Sequence, residues 1–259
     1  VCHASEVSAA PTLRRVLWPQ AAGVVLASAT LSLGGDFRSY AAQVGLPDHA
    51  DTLALPSPFD LRHQARLQVP RMKASPDQRD AHVAELVQWL DEHLDWGQGN
   101  LVLFTSKAKL EQSLALLPPQ RRMRVLAQGA RSKSALIAAH TAAVQAGLGS
   151  TLFGLASFGE GLDLPGRLCE TVVITQLPFA VPTDPVGATY AEWLEARGRN
   201  AFVEVTIPQA TRTLIQYCGR LIRGESDTGR IVILDNRVLS RRYGSRMLAA
   251  LPDFARELG

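Results

Sequence analysis

Gln216-Tyr-Cys-Gly-Arg-Leu-Ile-Arg223, with Gly224-Glu-Ser-Asp-Thr-Gly229 and Arg230-Ile-Val-Ile-Leu-Asp235 behind it, reads as a helix, a turn and a strand. Over 209–222 the apolar residues Ala210, Leu214, Ile215, Leu221 and Ile222 fall at helical spacing, and Pro208 stands where a helix can begin. Gly224 marks the stop, and Ile231–Leu234 predicts a short buried strand. Arg220 and Arg223 are three apart, which puts them on one helix face near its C-terminal end. Two guanidiniums held together form a clamp for phosphate or carboxylate, because each presents a planar fork of donors. The helix dipole would equally favour two solvated arginines at that end.

Working outward, the same alternation recurs. Strands are predicted at Ala65–Val69, Asn100–Thr105, Arg124–Gln128, Thr151–Ala156, Thr171–Leu177 and Phe202–Ile207, and a buried strand at Ala22–Ala29. Helices are predicted at Phe37–Val44, 77–95, Lys107–Leu117, Ser132–Ala146, Thr183–Ala196 and about 242–251. Strands alternating with helices imply an α/β fold, a parallel sheet with helices on both faces. Residues 1–54 read as an appended segment and 55–259 as the main domain.

Composition excludes several classes. With 46% hydrophobic and 20% charged residues the chain is an ordinary globular one, and a net charge of +3 does not announce a nucleic-acid binder. Cys2, Cys169 and Cys218 have no paired spacing, which argues against a disulfide framework or a metal site. No apolar run approaches the ~20 residues of a membrane span. The opening Val1-Cys-His-Ala-Ser-Glu6 resembles neither a signal peptide nor an initiator, so a fragment is expected.

In an open parallel sheet ligands gather at the carboxyl ends of strands, and the suspect segments are expected there. Thr105 and Ser106 precede a helix N-terminus whose free N–H groups favour a phosphate, although Ser106 can also simply cap that helix. Gln128, Gly129 and Arg131 repeat the arrangement after the next strand. In Ser157-Phe-Gly-Glu-Gly-Leu-Asp163 the glycines allow a tight loop carrying Glu160 and Asp163. Asp91-Glu92-His93 imitates a magnesium box but sits on the polar side of a helix, and Gly129-Ala-Arg-Ser-Lys133-Ser134 imitates a phosphate loop with the wrong glycine spacing. The six histidines lack partners at ligand spacing and are expected on the surface; Trp89, Trp96 and Trp193 are expected to pack.

The pattern Q-x-x-G-R-x-x-R over 216–223 resembles motif VI of superfamily 2 helicases. In family order, Val25-Leu-Ala-Ser28-Ala29-Thr30-Leu31 resembles motif III, Val102-Leu-Phe-Thr105-Ser106 motif IV, and 157–166 motif V. From about Val24 to Phe254 the chain resembles the DinG-type bacterial helicases, relatives of XPD. The resemblance implies a RecA-like (P-loop NTPase-type) sheet without its own Walker A box, since no G-x-x-x-x-G-K-[ST] occurs. It implies catalytic roles for Arg220, Arg223 and Gln216, and ATP contacts from Glu160, Gly161, Asp163 and Gly219. Thr105, Ser106, Gln128, Gly129, Arg131, Ser157 and Phe158 are implied to touch nucleic acid, and Ser28, Ala29 and Thr30 to couple the two. ATP and Mg²⁺ would be shared with a first motor domain of the same polypeptide, the other partner being single-stranded or forked DNA. An iron–sulfur cluster, present in many members, would lie outside this chain, and no metal ligands are expected within it. The resemblance further implies 5′ to 3′ unwinding and no ATP hydrolysis by the chain alone. A non-catalytic nucleic-acid or partner-binding module is the alternative reading; a Rossmann enzyme would need a G-x-G-x-x-G that is absent.

Overall fold

The structure, a computed structural model, describes residues 6–159, 161–180 and 185–259. Seven strands form one sheet: β1 (Ala65–Val69), β2 (Gly99–Leu103), β3 (Val125–Ala127), β4 (Ser150–Gly154), β5 (Thr171–Ile174), β6 (Gly229–Ile233) and β7 (Ala255–Leu258). Their order is β3-β4-β2-β5-β6-β1-β7 and every pairing is parallel. The longer helices are α1 (Arg38–Val44), α2 (Arg79–His93), α3 (Lys107–Leu116), α4 (Lys133–Gln145), α5 (Pro185–Glu195), α6 (Ile207–Cys218) and α7 (Arg242–Ala250). The α/β parallel sheet is therefore as the sequence predicts.

β2, β4 and β5 are buried at every position, so both faces of the sheet's middle are covered. β2 is the hub, with Leu101 opposite Leu152 on one side and Val172 on the other. Val83, Leu86 and Leu90 of α2 pack with Val102, Phe104, Phe153, Val173 and Val232 into one core cluster. Phe104 and Phe153 meet as tilted rings 5.0 Å apart. Around β2 the order reverses, since β4 lies on one side and β5 on the other.

The chain divides into two compact units, Val1–Pro56 with Phe179–Arg212 and Ser57–Pro178 with Thr213–Gly259. The whole sheet belongs to the second. Residues 179–212, which the sequence reading puts with the main domain, group instead with the N-terminal segment. Within this first unit α1 ends at Gly45, whose positive φ of 59° is joined by a close approach: a Cβ there would lie 2.5 Å from the Ala10 carbonyl oxygen. The Trp18 indole donates to the Val44 carbonyl at 3.1 Å.

Several expectations are overturned. Ala22–Ala29 forms no strand; the run is exposed throughout, with Val25 at 92%, because no described strand offers it a ladder. Phe202–Ile207 is not a strand either. Its β-branched residues wind into the π-helical turn Phe202–Thr206 that feeds directly into α6, so continuity with a strongly amphipathic helix outweighs local β propensity. β7 was not foreseen: its alternation is broken by Arg256 and Glu257, charges that suit the exposed edge beside β1.

Candidate functional site

α6 ends at Cys218, one turn earlier than the sequence predicts, and the chain leaves through a series of tight turns in which Gly219, Arg220 and Leu221 donate to the carbonyls of Ile215, Tyr217 and Cys218. Arg220 and Arg223 therefore lie past the helix, not on one of its faces. In the chain they precede β6, and what they touch follows another strand. Both reach the loop that follows β4. Arg220 Nε donates to the Gly159 carbonyl at 2.6 Å and its Nη1 to the Leu162 carbonyl at 2.7 Å. Arg223 Nη2 donates to the same Leu162 oxygen at 3.1 Å, and its Nε lies 3.9 Å from Asp163 Oδ1. Asp163 is 82% exposed, so solvent screens that pair and it adds little stability. Gln216 is half-buried on the last turn of α6, and Gly219 is exposed just beyond it. Glu160 lies outside the described residues.

Two glycines shape the loop. A Cβ on Gly159 would meet the Tyr217 ring at 1.9 Å, so only glycine lets the loop lie against α6. Gly161 takes a φ of +74°. A residue that the sequence reading missed fixes the exit: buried Asp227 accepts from the backbone N–H groups of Arg223 (2.7 Å), Gly224 (2.8 Å) and Gly166 (3.1 Å). Gln64 adds hydrogen bonds to the Gly224, Glu225 and Asp227 carbonyls. The Gly-Glu-Ser-Asp-Thr-Gly composition was the available signal, because an aspartate in such a turn commonly accepts from nearby backbone N–H groups.

The turns after β2 and β3 are more open. Ser106 caps α3 by accepting from Lys109 N–H, and Ser132 caps α4 by accepting from Ala135 N–H, each at 3.3 Å. Ser106, Gly129 and Arg131 are exposed and Thr105 half-buried. Gln128 faces inward to the post-β4 loop: its Oε1 accepts from Leu155 N–H at 2.7 Å and its Nε2 donates to Ser157 Oγ at 2.9 Å. Phe158 is 1% exposed and hence a core residue. So the structure brings together the 128–132 turn, Ser157 and the arginine exit. Ser28, Ala29 and Thr30 belong to the first unit, where the Ser28 and Thr30 hydroxyls lie 3.2 Å apart. A cavity of about 700 Å³ in that unit is lined by none of the expected site residues.

Two histidines are misplaced by the sequence reading. His82 and His140 are fully buried, with Nε2 against the Leu234 carbonyl (2.9 Å) and the Leu168 carbonyl (2.8 Å) respectively. Burial lowers both pKa values, so each imidazole is neutral and donates through Nε2. Cys169 and Cys218 are buried and burial pushes both thiols up to about 12, which suits neither nucleophile nor metal ligand. Among the described residues no group of three or more His, Cys, Asp or Glu is arranged to hold a metal ion.

Comparison with known proteins gives the family and the fold. The model of the helicase C-terminal domain family matches residues 92–254. The chain is similar to the ATP-dependent DNA helicase DinG of Photobacterium profundum, 40% identical over 99% of this chain and 38% of that protein. Its similarity to DinG of Escherichia coli (strain K12) is 35% over 97% of this chain and 36% of that protein. The chain thus spans less than two fifths of the length of these curated relatives. Among solved structures, XPD_APO superposes with a TM-score of 0.56 at 16% identity, over 76% of this chain and 40% of that one. XPD_Helicase gives 0.51 at 16% identity, over 75% and 36%. At that identity the likeness is one of fold, and the fold is RecA-like.

Proposed function

The chain belongs to the helicase C-terminal domain family, and from that premise we propose that it is the second motor domain of an ATP-dependent DNA helicase. The observation that carries the reading is the convergence of Arg220 and Arg223 on one carbonyl, that of Leu162, beside Asp163. Two guanidiniums fixed side by side suit the spread negative charge of a γ-phosphoryl group in transfer. In this account a first motor domain of the same polypeptide holds ATP and Mg²⁺, since this chain has no phosphate loop and its described residues offer no fitting metal ligands. Arg220 and Arg223 stabilise charge on the γ-phosphoryl oxygens as its bond to the leaving oxygen breaks, with Gln216, Gly219, Glu160, Gly161 and Asp163 as nucleotide neighbours. The isolated chain then hydrolyses nothing. Cys169 and Cys218 do not fit an iron–sulfur cluster, so a cluster in the whole protein would draw on cysteines elsewhere.

Thr105, Ser106, Gly129, Arg131 and Ser157 would contact the phosphates of single-stranded DNA, contacts that carry no base information. Closure on ATP and reopening after hydrolysis would then step the whole protein 5′ to 3′ and open forked duplexes, with Ser28, Ala29 and Thr30 helping to couple the two events. The same reading assigns the work to DNA repair at the nucleoid in the bacterial cytoplasm. Among the described residues no helix is long and apolar enough to cross a membrane. Strand displacement by the full-length protein on duplexes with a 5′ or a 3′ single-stranded tail tests the proposal. ATP-dependent unwinding from the 5′ tail alone is expected; no unwinding from either tail contradicts it.

A further inference from the structure

Lys133 is the first residue of α4, the end of a helix where the dipole disfavours a cation. Its side chain turns across to the loop after β4. There Nζ donates to the Ser157 carbonyl at 3.0 Å and lies 5.7 Å from the centre of the Phe158 ring. Phe158 is buried, so the ammonium is tied to an anchored point and not to a free loop tip. Gln128 makes a second tie from the same turn, through Leu155 N–H and Ser157 Oγ. From the other side Arg220 holds the carbonyls of Gly159 and Leu162, and Arg223 that of Leu162. After β4 the chain is thus gripped at Leu155 and Ser157 by the 128–133 turn and at Gly159 and Leu162 by the arginine exit.

We infer that Lys133 is a positioning residue that couples occupancy of the β3–α4 turn to the placement of Arg220 and Arg223. The inference rests on the motor reading above, which assigns DNA to the turn and ATP to the arginines. Exposed Arg131, capping Ser132 and the N-terminal turn of α4 are Lys133's neighbours in the chain and make a cationic, donor-rich helix end. A backbone phosphate arriving there competes with Ser157 O for Lys133. When the ammonium moves toward the phosphate, the Ser157 carbonyl it held is released, and the Gly159 and Leu162 carbonyls shift under the arginines that hold them. The 129–134 stretch thus imitates a phosphate loop in sequence, while its lysine serves as a latch on a neighbouring loop.

The test uses the full-length protein with Lys133→Met and Lys133→Arg, measuring ATP turnover without DNA and with saturating single-stranded oligonucleotide. Couplings between sites commonly amount to about 5–150-fold. Lys133→Met leaves the Ser157 carbonyl released at all times, so it is expected to raise DNA-free turnover toward the DNA-stimulated rate and to lose roughly tenfold of the stimulation by DNA. Lys133→Arg, which keeps a cation of similar reach, is expected to restore most of the stimulation. Undiminished stimulation in Lys133→Met overturns the inference, as does an equal fall in turnover with and without DNA, the signature of mere structural damage. A wild-type protein without any DNA-stimulated turnover would remove the motor reading itself, and this inference with it.

Discussion

The turns beyond β2 and β3 and the exit before β6 carry similar residues in opposite conditions. Ser106, Gly129 and Arg131 stand exposed around capped helix ends, with Thr105 half-buried among them. In the exit, Arg220 gives two donors to loop carbonyls, Arg223 gives one, and Asp227 collects three backbone N–H groups beneath them. The first region is poised to bind without being needed to hold the fold. The second is a brace whose charges are already oriented. An arginine's type therefore says little about its work until its donors have been followed to their acceptors.

Glycines offer the sharpest way to break this contrast. Gly159→Ala places a methyl into the Tyr217 ring and should cost about 3 kcal/mol or more, the upper range for overpacking a filled site. Gly129→Ala meets open space and carries only the penalty of a φ of +103°, about 1 kcal/mol. Urea titrations of the two variants compare them directly, and equal losses would erase the distinction between braced and open regions.

Arginines give a smaller version of the same test. Arg220→Ala removes the donor to the Gly159 carbonyl and one of the two donors to the Leu162 carbonyl, and should cost about 1–2 kcal/mol, discounted for partial exposure. Arg131→Ala should stay within about 0.5 kcal/mol of wild type. Its effect should appear instead in DNA binding, where losing one phosphate contact lowers the slope of log affinity against log salt by about 0.7 for a single strand. Binding isotherms at several salt concentrations measure it; an unchanged slope removes Arg131 from the DNA contacts.

Acidification should act on both regions alike. His82 supports the carbonyl end of β6 and His140 the segment leading into β5. Both folded-state pKa values are lowered, first by burial. The unfolded chain therefore binds protons below about pH 6.5 while the folded chain does not, so this contribution to stability is intact above that pH and falls as pH drops through it. His82→Gln and His140→Gln should each flatten the decline in unfolding midpoint between neutral and mildly acidic pH. A wild-type midpoint independent of pH over that window contradicts the burial of the two imidazoles.

How much of this was legible in the sequence follows from which forces act locally. Ile231–Leu234 declares itself because a parallel strand covered on both faces is a run of apolar residues, and Ala65–Val69 because buried Ala65, Leu67 and Val69 alternate with Arg66 and Gln68. Ala22–Ala29 has the same composition and no ladder, so composition states the wish to be buried and not the means. Phe202–Ile207 misleads because β propensity is decided by neighbours, here the helix it continues. The motif residues could be found by pattern and Asp227's local turn by composition, but Asp227's tie to Gly166, the reach of Lys133 and the inward turn of Gln128 could not. Their roles are set by partners 24 to 61 residues away, which no spacing rule reaches. The buried histidines escaped for the same reason, since each is satisfied by a distant carbonyl.

The central claim is that the arginine exit addresses a nucleotide and is more than a brace, and Arg223 separates the two most cleanly. It makes one carbonyl hydrogen bond and a screened pair with Asp163, so its loss should lower stability by less than about 1 kcal/mol. Steady-state ATP turnover of full-length Arg223→Ala with saturating single-stranded DNA, read beside its thermal midpoint, is the direct measurement. The account predicts a fall on the order of 10³-fold with the midpoint nearly unchanged, and little rescue by Arg223→Lys. Near-normal turnover in the folded variant would contradict it and leave Arg223 a structural side chain.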